Sequence, residues 1–316
     1  MSDRPSLPGS PHRREPGTRM QIGVALPQMA TGLDRAAVTA WCAGIDAGPF
    51  SSVSAGERIT FHNLEGLALC TAAAMLTERV RVLANVVVLP WHPVAMVAKQ
   101  LATIDVLSDG RLDVAVGVGG RPSDYEALGS PFTNRHRRLD EGVAELRRLW
   151  AQGPAADGEV VGPMPVQADG PPVLASAMGP RSLARCAQWA DGISGFTLLG
   201  DADEAANGFR SAEQAWEQAG RTTRPRLVTG SFVALGADAA ATLSGFAERY
   251  LAVFSPEFAA TLASRMPLHD PEVLVTLLDA LDAAGCDEFI VVPATVDPAM
   301  LAELTDVVSD WVGLSA

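Results

Sequence analysis

Between residues 20 and 312, short β-branched runs alternate with longer amphipathic ones, and this rhythm restricts the fold more than any other feature of the chain. Strands separated by helices pair in parallel, because each helix returns the chain to the end of the sheet where the last strand began. Strands are predicted at residues 20–26, 51–55, 80–89, 112–118, 173–175, 192–197, 227–234 and 288–292. The run at 80–89 is nearly all apolar, as befits a strand covered on both faces. Helical periodicity fills 33–47, 64–76, 94–107, 134–151, 180–190, 203–219, 273–284 and 298–312. Residues 239–266 read as a helix with an extra helical insertion, and 152–172 as a Gly- and Pro-rich loop. Eight such strands close most economically into a (β/α)8 TIM barrel of the α/β class, which leaves no sheet edge unpaired. An open doubly wound sheet is the alternative, but no GxGxxG follows the first strand.

Charge narrows the partners. The formal net charge is −13, and the first 19 residues carry four Arg against two acidic residues, so the remainder is near −15. An acidic body repels phosphate backbones and anionic lipid, which argues against nucleic acid and membrane. No apolar run approaches the roughly 18 residues of a membrane span. Residues 1–19 are rich in Pro, Arg, Ser and Gly and lack the apolar stretch of a signal peptide. They read as a disordered tail, with one folded domain over 20–316. Cys42, Cys70, Cys186 and Cys286 are far apart with no metal-ligand spacing, so buried free thiols in a reducing cytoplasm are expected and no metal site.

In a barrel of this kind chemistry sits where strands end. After strand two come Glu57 and Arg58, which could pair with each other and orient a substrate. After strand three the run through Asn85, Val86 and Val87 leads to Trp91 and His92 in a loop bracketed by Pro90 and Pro93. Trp91 suits a pocket wall and His92 a proton donor; packing and capping are the plainer roles. After strand four, Gly117, Gly119 and Gly120 let backbone approach a ligand closely, and Arg121 follows. Downstream, Arg135 opens a helix, where the dipole disfavours a cation unless an anion is nearby. After strand five, Ser176, Met178, Gly179 and Ser182 surround a turn whose Pro180 suits the first helical position. Its free amides could receive phosphate, or simply cap the helix. Phe196 ends strand six at the same mouth.

Taken together, several stretches resemble the bacterial luciferase-like monooxygenase superfamily of flavin- and F420-dependent oxidoreductases. The most specific is AKQLATIDVLSDGRL at 98–112, followed by GVGG at 117–120, ALG at 127–129 and FTNR at 132–135. PPVL at 171–174, Gly179-Pro180 and WADG at 189–192 continue the likeness. It is clear from residue 20 to about 196 and weaker beyond. The resemblance implies FMN or F420 at the barrel mouth, with the ring near strands two to four. It implies a non-proline cis peptide around Asn85, Val86 and Val87, bulging toward the ring. Cofactor phosphate is implied near Gly179 and Ser182, with Arg135 in the position of a phosphate-holding arginine. A small-molecule substrate, a separate flavin or F420 reductase and a homodimer are implied as partners.

One departure matters. The family commonly places histidine where this chain has Arg58. Arginine does not deprotonate, so it cannot replace a catalytic base in alcohol or sugar oxidation. The leading expectation is therefore a monooxygenase using reduced FMN and O2 on a small organic substrate. An F420-dependent reductase or dehydrogenase and a non-catalytic flavin-binding member are the alternatives. A barrel hydrolase or aldolase would need metal ligands or a Schiff-base lysine at strand ends, and Lys99 falls inside a helical run.

Overall fold

The computed structural model describes residues 17–152 and 158–314. Its eight strands are β1 (Gln21–Ala25), β2 (Ser52–Ala55), β3 (Arg81–Val87), β4 (Leu112–Val116), β5 (Val173–Ala175), β6 (Gly192–Ser194), β7 (Arg226–Val233) and β8 (Glu288–Pro293). They pair in chain order and in parallel, and β8 closes on β1 through Gln21 opposite Glu288. The α/β barrel expected from the rhythm is thus the fold.

The helices begin where the sequence supplies caps. In α1 (Arg35–Ala47) the Asp34 carboxylate accepts from Ala37 N, and Val38, Trp41, Cys42 and Ile45 form the buried stripe. Burying each large apolar side chain of this kind contributes roughly 1.5–3 kcal/mol. Then follow α2 (Gly66–Leu76), α3 (Val94–Leu107), α4 (Pro122–Ala127), α5 (Arg135–Trp150), α6 (Pro180–Cys186) and α7 (Ala202–Gln218). The stretch after β7 holds α8 (Ala239–Leu251) and α9 (Pro256–Ala263), the extra helical segment before the last strand. The chain ends with α10 (Pro271–Ala283) and α11 (Pro298–Val312), each with an aspartate cap and Pro in its first turn.

Two local expectations change. The region after β4 carries α4 rather than only a glycine loop, because Pro122 starts a turn and Asp124 pins it. β3 stops at Val87, since a register shift between Asn85 and Val87 and a 3-10 turn at Leu89–Trp91 bend the chain away.

Inside the barrel, Ala25, Leu83, Ala115, Leu174, Val228 and Ile290 form an apolar middle layer. Below it, at the strand starts, lies a buried ionic layer. Arg226 donates to Asp113 at 2.8 Å and to Glu288 at 2.5 Å, Arg81 reaches Asp113 at 2.9 Å, and Ser52 donates to Glu288 at 2.6 Å. Burial alone would lower the pKa of Arg226, but the two carboxylates outweigh it and hold the guanidinium above its ordinary range.

Residues 1–16 of the expected tail lie outside the described residues. Arg19 and Met20 are docked: Met20 N donates to Asp282 at 2.8 Å, and Arg19 lies 4.7 Å over the Trp311 ring. All four cysteines are free and buried, and burial pushes the Cys70 thiol up to about 12. Among the described residues no helix is long and apolar enough to cross a membrane, and no three His, Cys, Asp or Glu side chains cluster as metal ligands.

Candidate functional site at the barrel mouth

The tip of β3 organises the mouth. The Asn85–Val86 peptide is cis, where the resemblance placed one. Gly56 lies directly against it: a Cβ there would fall 2.1 Å from the Asn85 carbonyl oxygen, so no side chain fits. Asn85 Oδ1 accepts from Ser194 Oγ at 2.9 Å across the barrel. On the other side, a Cβ on Gly117 would meet Val86 Cγ1 at 3.0 Å and Ser176 Cβ at 3.3 Å. Asn85, Val86, Gly117 and Ser176 are therefore contiguous.

Glu57 and His92 come together below this bulge. The Glu57 side chain is 2% exposed; its Oε2 accepts from Val88 N at 2.7 Å and its Oε1 lies 2.7 Å from His92 Nε2. Trp91 Nε1 also points at His92 Nε2, at 2.8 Å. An indole only donates, so Nε2 either accepts from Trp91 or carries a hydrogen toward Glu57, but not both. The three groups share one proton position, which suits a site that gives or takes a proton.

Arg58 does not pair with Glu57, contrary to the simplest reading of their adjacency. Neighbouring residues on an extended segment point to opposite sides. Arg58 instead crosses to α8, where Nη1 donates to Tyr250 O at 3.3 Å. Its guanidinium lies 3.6 Å from the Phe61 ring centroid and 4.8 Å from that of Tyr250. The same loop reaches α4, where Thr60 N donates to Asp124 at 2.8 Å and Arg121 to the same carboxylate at 2.8 Å. The loop after β2 thus spans the mouth from β4 to α8.

Gly119 has φ +61, and a Cβ there would fall 2.9 Å from Val88 Cγ1. Trp91 packs edge-on to Tyr125, which packs on Phe132. Arg135 stacks over Phe132 at 3.8 Å; its Nε is buried without an acceptor. Arg185 donates to His136 O at 3.1 Å and to Asp140 at 2.8 Å, tying α6 to the first turns of α5. Met178 and Gly179 are exposed, and a Cβ on Gly179 would meet nothing within 4 Å. Met178 and Phe196 line a cavity of about 260 Å³ between the β5 and β6 tips and α7.

Some mouth residues were not singled out in the sequence. Buried Gln28 donates to Gly56 O at 2.8 Å, and its Oε1 has no partner. Ser194 and Tyr250 gain roles only through partners remote in sequence, and Phe61 through Arg58 three residues before it. Of five enclosed polar side-chain atoms without a partner among the described residues, four follow the ends of β1, β2 and β4: Gln28 Oε1, Arg58 Nε, Asn63 Oδ1 and Arg135 Nε. Buried polar atoms are normally paired, so these mark where a ligand would complete the structure. A cradle of Gly117, Gly119 and Gly179 with an arginine whose Nε lacks an acceptor fits a flat, phosphorylated cofactor.

A protein of Mycobacterium tuberculosis is 34% identical over 166 residues, 50% of this chain and 57% of that one. The chain thus covers little more than half the length of such curated relatives. The FMNH(2)-dependent dimethylsulfone monooxygenase of Pseudomonas fluorescens is 36% identical over 102 residues, 31% of this chain and 28% of that protein. In fold, the chain resembles an F420-dependent secondary alcohol dehydrogenase solved with an F420-acetone adduct, with TM-score 0.75 and 18% identity over 92% of this chain and 98% of that one. The family described as luciferase-like monooxygenase matches residues 20–305, and the chain belongs to it.

Proposed function

We propose that the chain is a flavin-dependent monooxygenase that uses reduced FMN and O2 on a small organic substrate. The observation that carries this reading is the β3 tip, where a bulged apolar backbone at Val86 is backed by Gly56 and Gly117 and flanked by the Glu57–His92 pair. Reduced flavin, when bound, would supply the electrons that activate dioxygen.

The chain's own residues then have distinct tasks. Val86 and Val87 support one face of a ring, and Gly117 and Gly119 leave room for it. Arg135 offers charge to a phosphate, with the amides near Gly179, Ser176 and Ser182 completing its surroundings. His92 Nε2 gives or takes a proton under the control of Glu57 and Trp91. Trp91, Arg121 with its Asp124 partner, and Phe196 wall the site against water. A separate reductase supplies the reduced cofactor, in the cytoplasm.

Titration of the purified protein with FMN, reduced FMN and F420, followed by absorbance or fluorescence, tests the reading. Reduced FMN is expected to bind tightest. Tight F420 binding with no response to FMN would replace the cofactor, and no binding of any of the three would leave a non-catalytic member.

The chain pairs as a homodimer through α2 and α3. α2 has no charged residue, and Met75, Leu76, Met96, Val106 and Leu107 on the two helices are exposed, Met75 by 63% and Met96 by 55%. An apolar patch shared by neighbouring helices is normally covered. Sedimentation should give a dimer, and the pair Met75→Glu with Met96→Glu should give monomers.

A further inference from the structure

The Arg58 guanidinium is a buried cation with no anionic partner. The residue is 6% exposed, and no carboxylate lies within ion-pair distance of it among the described residues. Phe61 and Tyr250 cover its faces, and only Nη1 has an acceptor, the Tyr250 carbonyl. Nε is enclosed without a partner; Nη2 has none either and is not enclosed. Nη2 is therefore the guanidinium atom left open, able to donate a charge-assisted hydrogen bond to a carboxylate. Arg121, the nearby cation, is already neutralised by Asp124 at 2.8 Å. Burial and the charge of Arg121 lower the Arg58 pKa to about 10, so it remains a cation at neutral pH.

The surroundings describe the rest of the ligand. Tyr250 stacks on Phe246 at 5.8 Å and packs on Phe232 at 5.2 Å, and Phe232 touches Phe196 at 4.7 Å. This aromatic wall runs from the β6 and β7 tips to the guanidinium. Buried charges are retained where something pairs with them, and here the protein provides rings rather than a carboxylate.

We infer that Arg58 is the receptor for an anionic substrate: an organic carboxylate whose apolar body lies along Tyr250, Phe232 and Phe196. This deepens the monooxygenase reading by naming the substrate class, and it rests on that reading. Arg58 engages the carboxylate through Nη2 at the open edge, and Phe61 and Tyr250 hold the guanidinium plane in place.

Calorimetric titration of the wild-type protein with benzoate and hexanoate, each against its neutral amide, is the test. Both acids should bind, and the amides about ten- to a hundredfold more weakly. Arg58→Gln should abolish that preference, and Arg58→Lys should restore part of it. Equal affinity for acid and amide, no binding of either acid, or an undiminished preference in Arg58→Gln would overturn the assignment. The wild-type ratio stands even if a variant fails to fold. Flavin titration of the same sample separates the two claims. Flavin binding without acid selectivity removes only the Arg58 role, and acid selectivity without flavin binding removes only the cofactor.

Discussion

The two ends of the barrel treat buried charge in opposite ways. At the strand starts, Arg226 sits between Asp113 and Glu288, Arg81 shares Asp113, and Ser51 and Ser52 both donate to Glu288. Every charge there has a partner within the barrel. At the strand ends, Arg58 and Arg135 are covered by aromatic rings and each keeps an enclosed Nε without an acceptor, while Gln28 keeps an unpartnered oxygen. The closed end is finished by the chain itself. The open end has the incompleteness expected of a place where something else binds.

The largest expected effect breaks the closed end. Arg226→Leu leaves Asp113 and Glu288 buried with one cation fewer, and should cost roughly 3–5 kcal/mol in denaturant unfolding. The flavin affinity of the protein that remains folded should not change. A cost below about 1 kcal/mol would show that the ionic layer is not coupled to stability.

The next effect falls on the open end and reverses the pattern. Arg135→Ala should weaken flavin binding by about ten- to a hundredfold, the worth of a charge-assisted contact, while leaving the unfolding midpoint nearly unchanged. Unchanged flavin affinity would remove Arg135 from the site.

A smaller, pH-dependent effect sharpens the boundary between the ends. Asp124 ties the β2 loop to α4; burial would raise its pKa, but hydrogen bonds from Thr60 and the Arg121 guanidinium outweigh burial and lower it. A carboxylate with a lowered folded pKa stabilises above its unfolded value, about 4, and loses that contribution as pH falls through the folded value. Asp124→Asn should therefore cost roughly 1 kcal/mol at pH 7, with the difference from wild type shrinking below about pH 4. A difference constant with pH would mean that Asp124 acts through packing alone.

Much of the fold was legible, because strand and helix periodicities are local. The motif at 98–112 was also legible, but its residues are struts. Asp105, fully buried, accepts from Val166 N, Gln167 N and the Gln167 amide. Arg111 donates to Ala74 O and Thr77 O at the end of α2. The motif identified the family without marking the chemistry. Glu57 and His92 stood out by their places after strand ends, and Arg135 as a cation at a helix start. Gln28, Ser194 and Tyr250 did not, since their meaning depends on contacts with residues distant in sequence. Arg58 and Tyr250 meet over 192 residues of chain. The expected Glu57–Arg58 pair does not form, because Glu57 turns to Val88 N and His92 after β3 while Arg58 turns to Tyr250 on α8.

Hydrogen–deuterium exchange with and without reduced FMN, under anaerobic conditions, tests the difference between the two ends most directly. The account predicts new protection at the β3 and β4 tips, from Asn85 to Val88 and Gly117 to Gly120, and in the first turn of α5 around Arg135, with none at the starts of β7 and β8. Protection that avoids those tips, or appears chiefly around Arg226 and Glu288, would contradict it.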